Sequence, residues 1–412
     1  VTGVLGGIVD RVVPPALGAD FQRYLAATWL SNLSDGILLA AGPLLVASQT
    51  DSPALVALAV ILQRLPWFFF GLGAGIVADR LNRRMLVLLG NGVRVVVLSV
   101  LAITIVGEQI NIGVALGAMF LLGSAETFTD ISTDAMLPML VPAEHLGVAN
   151  ARAVFGIHAL NLLGGPPLGA LLFAGAMFLP FAIEAVLLAA SLALIVQVRI
   201  PNTDRTPSTS ALGDLREGVR WLWGSGPVRT LALTVFVFNL TWGATNAIMV
   251  LYASENLGLD ERGFGLFLAA GAVGGVVGSS LYGTLERRIS MGTMMRAGLA
   301  YETLAHLGLG LTGRWWVAFP IVFFAGIQTS IWGTLSRAVR QRAVPEAFMG
   351  RVGSVYMFGV STGLVLGGLI GGIVGSIFNL TAVFWYAFAG SAVFLALVWR
   401  EMPRIAHAGL PS

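Results

Sequence analysis

The sequence predicts an all-α membrane protein, with twelve transmembrane helices in two pseudo-symmetric six-helix bundles. Three observations carry this expectation. Apolar stretches recur at the length of a bilayer crossing, arginines fall almost wholly in alternate loops, and the second half of the chain repeats the first at a fixed offset.

Of the 412 residues, 56% are hydrophobic and 11% charged, against about 25% charged in soluble domains. A helix needs roughly 20 mostly apolar residues to cross a bilayer. Twelve such segments are expected near residues 23–48, 54–78, 86–106, 112–136, 153–175, 180–198, 229–253, 264–284, 292–312, 315–336, 352–375 and 380–399. Most have no polar face of the kind a soluble helix would present to water. The fifth contains Gly164-Gly165-Pro166-Pro167, which membrane helices tolerate because neighbouring helices satisfy the freed backbone and small residues permit close packing.

All 24 basic residues are arginine. With the N-terminus placed in the cytoplasm, 19 fall on cytoplasmic segments and only Arg262 and Arg314 in outer loops, with Arg64, Arg94 and Arg296 inside spans. That asymmetry predicts a multi-pass protein of the bacterial inner membrane with both termini cytoplasmic. A net charge of +3, with the arginines placed for topology, gives no reason to expect a nucleic-acid partner. The absence of cysteine excludes disulfides, thiolate metal sites and cysteine nucleophiles. Residues 1–20 carry Asp10, Arg11, Pro14, Pro15 and Asp20 and do not read as a cleavable signal peptide. The first span is expected to act as its own insertion signal.

Residues 199–228 form the long polar interruption, read as a cytoplasmic linker. Pro201 to Ser210 has the composition of a flexible chain, and Leu212 to Trp223 has the spacing of an amphipathic helix on the inner membrane surface. The expected domains are therefore 1–22, a cytoplasmic segment; 23–198, the first bundle; 199–228, the linker; 229–399, the second bundle; and 400–412, a cytoplasmic tail. At an offset of 203, Phe120, Gly123, Val141-Pro142, Gly147, Phe155-Gly156, Gly164-Gly165 and Gly169 match Phe323, Gly326, Val344-Pro345, Gly350, Phe358-Gly359, Gly367-Gly368 and Gly372. One register over some fifty positions points to a duplicated six-helix unit, a device of secondary transporters.

Gly75, Asp79, Arg80, Arg83 and Arg84 lie between the second and third segments. This stretch resembles the Gly-x-x-x-Asp-Arg-x-Gly-Arg-Arg signature loop of the major facilitator superfamily, with Asn82 in place of the second glycine. Asn tolerates a left-handed backbone better than most residues, so the turn is expected to survive. The resemblance implies that Asp79 latches onto the N-terminus of the eleventh helix near Gly350 to Gly353, where a carboxylate is favoured, while the arginines fix the loop. The whole chain is similar to the macrolide-efflux and enterobactin-exporter branch, on the evidence of Ser31-Asn32-Leu33-Ser34-Asp35-Gly36, Ala125-Glu126-Thr127-Phe128, Leu137 to Pro142 and Asn150. Gly165-Pro166-Pro167-Leu168-Gly169-Ala170 resembles an antiporter motif of drug exporters, with Ala170 replacing its last glycine. The arginine expected in the fourth helix of many drug–proton antiporters is missing, and Glu126 and Asp130 stand in that region.

A charge at mid-bilayer costs at least about 2.5–3.5 kcal/mol, so buried charges need a reason. Asp35 and Arg64 sit at comparable depth and are expected to pair, either for neutralisation or with Asp35 as proton carrier. Glu126, Asp130 and Asp134 share one helical stripe through their spacing of four and form a candidate proton ladder. Arg94 is placed near Asp130 or Asp134, preferably the latter. Asp35, Arg64, Glu126 and Asp130 are the proton-coupling candidates. Glu184, Arg296, Glu302 and His306 are read as packing groups, and His158 as open between packing and proton transfer.

In the superfamily the first, fourth, seventh and tenth helices line the cavity. This implies Thr28, Asn32, Asn239, Trp242, Asn246, Gln328 and Trp332 as substrate contacts, suited to a bulky amphiphile. Any one of the aromatics could equally face lipid. No nucleophile–base or metal constellation is present, and no nucleotide-binding loop, so an enzyme is not expected. Nor is a cofactor or a metal site. The expected function is proton-coupled efflux of drugs or amphiphilic small molecules by alternating access, by a monomer surrounded by lipid. Export of a siderophore, movement of a lysolipid, and a non-transporting receptor are the alternatives.

Overall fold

The computed structural model describes residues 17–80, 82–199 and 211–408, excepting the side chains of 71–80, 143, 158, 211, 212, 214, 215, 346 and 347. A helix occupies each of the twelve expected segments. They are α1 Ala19–Ala47, α2 Pro53–Arg80, α3 Arg83–Val106, α4 Ile112–Leu140, α5 Leu146–Gly175 and α6 Leu179–Ile195. After the linker come α7 Gly226–Ala247, continued by Met249–Asn256, then α8 Glu261–Glu286, α9 Met291–Leu311, α10 Trp315–Ala343, α11 Glu346–Ile377 and α12 Leu380–Val398.

Among the described residues, nine helices are by themselves long and apolar enough to cross a membrane. The α7 pair, bent by 50° at Ile248, makes ten. The other two have plain reasons for falling short. α6 is apolar but has 17 residues, and α9 carries Arg296, Glu302 and His306. Five of the spanning helices are started by a side chain that accepts a backbone N–H: Asn82, Asn111, Asp260, Ser290 and Asn379. Such caps contribute about 0.5–2 kcal/mol each. Asn82 has φ −66° and ψ 112°, so it is extended. Its role is to cap α3 and not to supply the left-handed turn expected from the glycine it replaces.

The structure divides into two compact units, Val1–Leu45 with Leu65–Thr209, and Val46–Arg64 with Ser210–Ser412. In lipid, helices are held together mainly by close packing, since the acyl chains are as apolar as leucine. The first unit shows this at α1 and α5, where a Cβ on Gly165 would strike the backbone of Gly36 and one on Gly169 the backbone of Ile37. Immediately before that contact, Ile157–Gly164 is π-helical, a distortion that often marks functional sites.

In the second unit, a Cβ on Gly243 would come within 2.7 Å of the Leu364 carbonyl, and one on Gly367 would strike that of Leu240, so α7 and α11 also touch backbone to backbone. The first part of α2 belongs to this unit. Ala54 N–H donates to Ser376 Oγ of α11 at 3.0 Å.

The linker helix, Ala211–Gly224, packs against the start of α11. Trp221 stacks on Phe348 with ring centroids 5.9 Å apart, and Leu222, Val228, Val344 and Val352 form a small core there. Gly218 approaches the Arg351 backbone so closely that a Cβ would lie 2.7 Å from its carbonyl oxygen. The apolar face expected to lie on the membrane surface is thus turned, at these residues, onto protein.

Candidate functional site

The site is built in the first unit from polar residues placed at helical spacing on α1 and α3. Ser31 and Asp35 are four apart and share a face of α1; Asn91 and Arg94 are three apart and share a face of α3. Arg94 Nη2 donates to Asp35 Oδ1 in an ion pair. Its Nη1 donates to Ser31 Oγ and to Asn91 Oδ1, each at 3.2 Å. Arg94 is 1% exposed and Asp35 5%. Arg64, the partner expected for Asp35, is exposed, and Asp134, the partner expected for Arg94, is exposed as well. The reason is rotational. Depth along a helix can be counted from the sequence, but the direction a side chain takes around it depends on packing.

α4 completes the cluster. It runs unbroken through Glu126, Asp130 and Asp134, so successive carboxylates are offset by about 6 Å along the axis. Glu126 and Asp130 are half-buried, and both lie within the electrostatic reach of Arg94. Asp130 also feels Asp35 and Glu126. A cavity of about 20 Å³ lies between α1, α3, α4 and α6, lined by Thr28, Ser31, Asn32, Asn91 and Asp130 among others. That is room for about one water molecule. It connects Asp130 to the two groups that share Nη1 of Arg94. Thr28 and Asn32 bond back to their own helix, Thr28 Oγ1 to Tyr24 O at 2.8 Å and Asn32 Nδ2 to Thr28 O at 2.9 Å. They border the cavity without filling it.

The α5 motif adjoins this cluster. Gly165 abuts Gly36, the residue after Asp35, and Pro166 and Gly169 are buried. Its glycines therefore fix the backbone that presents Asp35. In the loop signature, Arg83 Nη1 donates to Ala135 O of α4 at 2.7 Å, and Arg84 Nε to Ile195 O at the end of α6 at 3.1 Å. The side chains of Gly75, Asp79, Arg80 and His158 lie outside the described residues.

In the second unit the candidates divide. Asn239 Nδ2 bonds to Val235 O on its own helix at 2.7 Å, Asn246 is half-buried and Trp242 is 47% exposed. Gln328 is 8% exposed; it donates to Glu302 of α9 at 3.2 Å and packs with Trp332 against Gly298. Those two pack toward α9 within their own bundle, with one N–H of the Gln328 amide engaged by Glu302. Glu302 is half-buried there and His306, one turn further along α9, is buried, and Arg296 donates to Trp399 O at the end of α12 at 3.0 Å.

Glu184 of α6 also enters this picture. Taken from the sequence as a packing group, it is 0% exposed and lies in the electrostatic field of Arg94, Asp35 and Glu126. A lone acidic residue in an otherwise apolar segment was the signal available for it.

Residues 15–408 match the transmembrane secretion effector family of the major facilitator superfamily. The chain belongs to this family. It is therefore a multi-pass secondary transporter of small molecules and not an enzyme. It is 25% identical to the enterobactin exporter EntS of Shigella boydii serotype 4 (strain Sb227), over 84% of this chain and 83% of that protein, and equally to EntS of Escherichia coli O1:K1 / APEC. Among solved structures it is similar to a bacterial homologue of the iron transporter ferroportin in an inward-facing state, with TM-score 0.72, 18% identity and coverage of 94% of this chain and 98% of that one. The nucleoside transporter NupG gives TM-score 0.71 at 14% identity, with coverage of 93% and 100%. At these identities the solved structures establish the shared fold.

Proposed function

We propose that this family member exports drugs or related amphiphilic small molecules by alternating access, driven by protons returning to the cytoplasm. The observation that carries the reading is the Arg94–Asp35 pair, buried in a membrane protein with the Glu126 and Asp130 carboxylates in its field. Ionisable groups kept at such depth are costly, and they mark proton and substrate paths in transporters. Asp35 takes up the proton and releases Arg94; Asp130, next to the small polar cavity, relays it. Arg64, exposed on α2, stays a candidate for the same relay. Thr28, Asn32, Asn239, Trp242 and Asn246 contact substrate, and Gln328 with Trp332 supports α9.

The arginine distribution favours a place in the bacterial inner membrane with both termini cytoplasmic. Asp79 serves as the conformational latch at the end of α2, with Gly75 and Arg80 beside it in that helix and Arg83 and Arg84 anchoring the following one. The similarity to EntS favours a second reading, export of an endogenous siderophore. An acidic cluster weighs against an anionic cargo, because like charges in a low-dielectric site repel strongly.

Transport by purified protein in proteoliposomes under an imposed pH gradient separates these readings, with cationic dyes, macrolides, tetracyclines and siderophores as cargoes. Gradient-driven movement of the cationic or neutral amphiphiles, abolished in Asp35→Asn, supports the proposal. Movement of the siderophore alone selects the second reading. Flux indifferent to the gradient makes the protein a facilitator.

A further inference from the structure

Glu184 is fully buried in α6, and neither of its carboxyl oxygens has a hydrogen-bond partner among the described residues. An isolated buried carboxylate is so unfavourable that such a group rests as the neutral acid. Across from it, Arg94 is also incompletely used. Its two terminal nitrogens bind Asp35, Ser31 and Asn91, while its buried Nε has no partner among the described residues. α6 packs along α3. The charges that act on Glu184 from the surrounding helices are Arg94 of α3, Asp35 of α1 and Glu126 of α4. Two unfilled acceptors and one unfilled donor therefore share a single buried cluster.

We propose that Glu184 is a second proton-binding site and the alternative partner of Arg94. In the arrangement seen, Asp35 is the ionised partner and Glu184 holds the proton. In the exchanged arrangement the O–H bond of Glu184 breaks, an O–H bond forms on Asp35, and the guanidinium, charged throughout, turns from Asp35 to Glu184. No outside reactant is required and the net charge of the cluster does not change. Each arrangement has one ion pair and one neutral acid, so neither strands a buried charge. A single ion pair with one partner removed would strand one. The proposal rests on reading this cluster as the coupling site, and it adds the residue that takes over Arg94 when Asp35 lets go.

Infrared difference spectroscopy on purified protein at neutral pH tests this without any cargo. The carbonyl stretch of a protonated carboxyl is compared among wild type, Glu184→Gln, Glu184→Asp, Asp35→Asn and Asp35→Asn combined with Arg94→Gln, each first checked as monodisperse by size-exclusion chromatography. One carboxyl's worth of the band is expected to vanish in Glu184→Gln and to shift in Glu184→Asp. It is also expected to vanish in Asp35→Asn, where Arg94 turns to Glu184, and to return in the double variant, which has no arginine to take. A wild-type band unchanged by Glu184→Gln overturns the proposal even if the other variants do not fold. A band that persists undiminished in a folded Asp35→Asn also overturns it. Failure of gradient-driven transport with these spectra intact would refute the coupling reading and leave the exchange standing.

Discussion

Arg94 on α3 grips Asp35 on α1 in the interior of the first unit, and Ser31 and Asn91 hold the guanidinium in place from the other side. Removing one member of a buried pair leaves the other charge uncompensated, at about 3–5 kcal/mol. Asp35→Asn should therefore lower the thermal midpoint of the detergent-solubilised protein, but by less than that full cost, because Glu184 takes over Arg94. Adding Glu184→Gln to Asp35→Asn removes that rescue and should lower the midpoint further. Thermal unfolding followed by tryptophan fluorescence checks both, and a midpoint unmoved by either variant contradicts the pairing.

The glycine contact between α1 and α5 makes a sharper steric prediction. A Cβ at Gly165 or Gly169 would collide with α1 backbone, whereas at Gly92 or Gly117 it would meet nothing within 4 Å. Overpacking of this kind costs about 1–3 kcal/mol. Gly165→Ala and Gly169→Ala should each lower the thermal midpoint, while Gly92→Ala and Gly117→Ala leave it within error.

The linker helix is held by packing more than by charge. Glu217 and Arg351 are 3.0 Å apart, with 47% and 35% of their side chains exposed, and an exposed pair contributes at most about 1 kcal/mol. Gly218, by contrast, lies against the Arg351 backbone. Hydrogen–deuterium exchange over 211–224 should speed up strongly in Gly218→Val and little in Glu217→Ala. The reverse order would mean that the ion pair holds the helix.

The absence of cysteine makes the chain a ready background for testing orientation. Glu286 and Gly313 are exposed at opposite ends of α8–α9. A membrane-impermeant maleimide should label Gly313→Cys in intact cells and Glu286→Cys only after permeabilisation. Labelling in the opposite sense would invert the topology.

Much of the fold was legible in the sequence, because apolar run length is a direct physical requirement of the bilayer. The errors fall at the ends. The α10 segment was expected to stop near residue 336, where Arg337, Arg340 and Arg342 begin, yet the helix continues to Ala343. Polarity marks where the membrane stops, while the backbone ladder runs on. The π-helical turn of Ile157–Gly164 runs into Gly165-Pro166-Pro167, where the prolines lack the N–H that a regular helix would use, whereas the bend at Ile248 has no comparable mark in the sequence.

The site was legible in its residue types and not in its pairings. Asp35, Glu126 and Asp130 stood out as charges in apolar helices. That Arg94 and not Arg64 faces Asp35 depends on the rotation of α3 about its axis. The polar pairs Ser31/Asp35 and Asn91/Arg94, one on each helix, were the signal that could have joined them. Glu184 reads as a packing group because one carboxylate in an apolar segment does not show which charge it faces.

The central claim is that proton movement through the Asp35–Arg94 cluster drives export. The direct measurement is lumenal pH in proteoliposomes carrying a trapped pH-sensitive dye, followed as a transported cargo is added with no initial gradient. The account predicts that downhill cargo movement and opposite, uphill proton movement appear together in wild type and are lost together in Asp35→Asn. Cargo movement at an unchanged rate with no change in lumenal pH would contradict it.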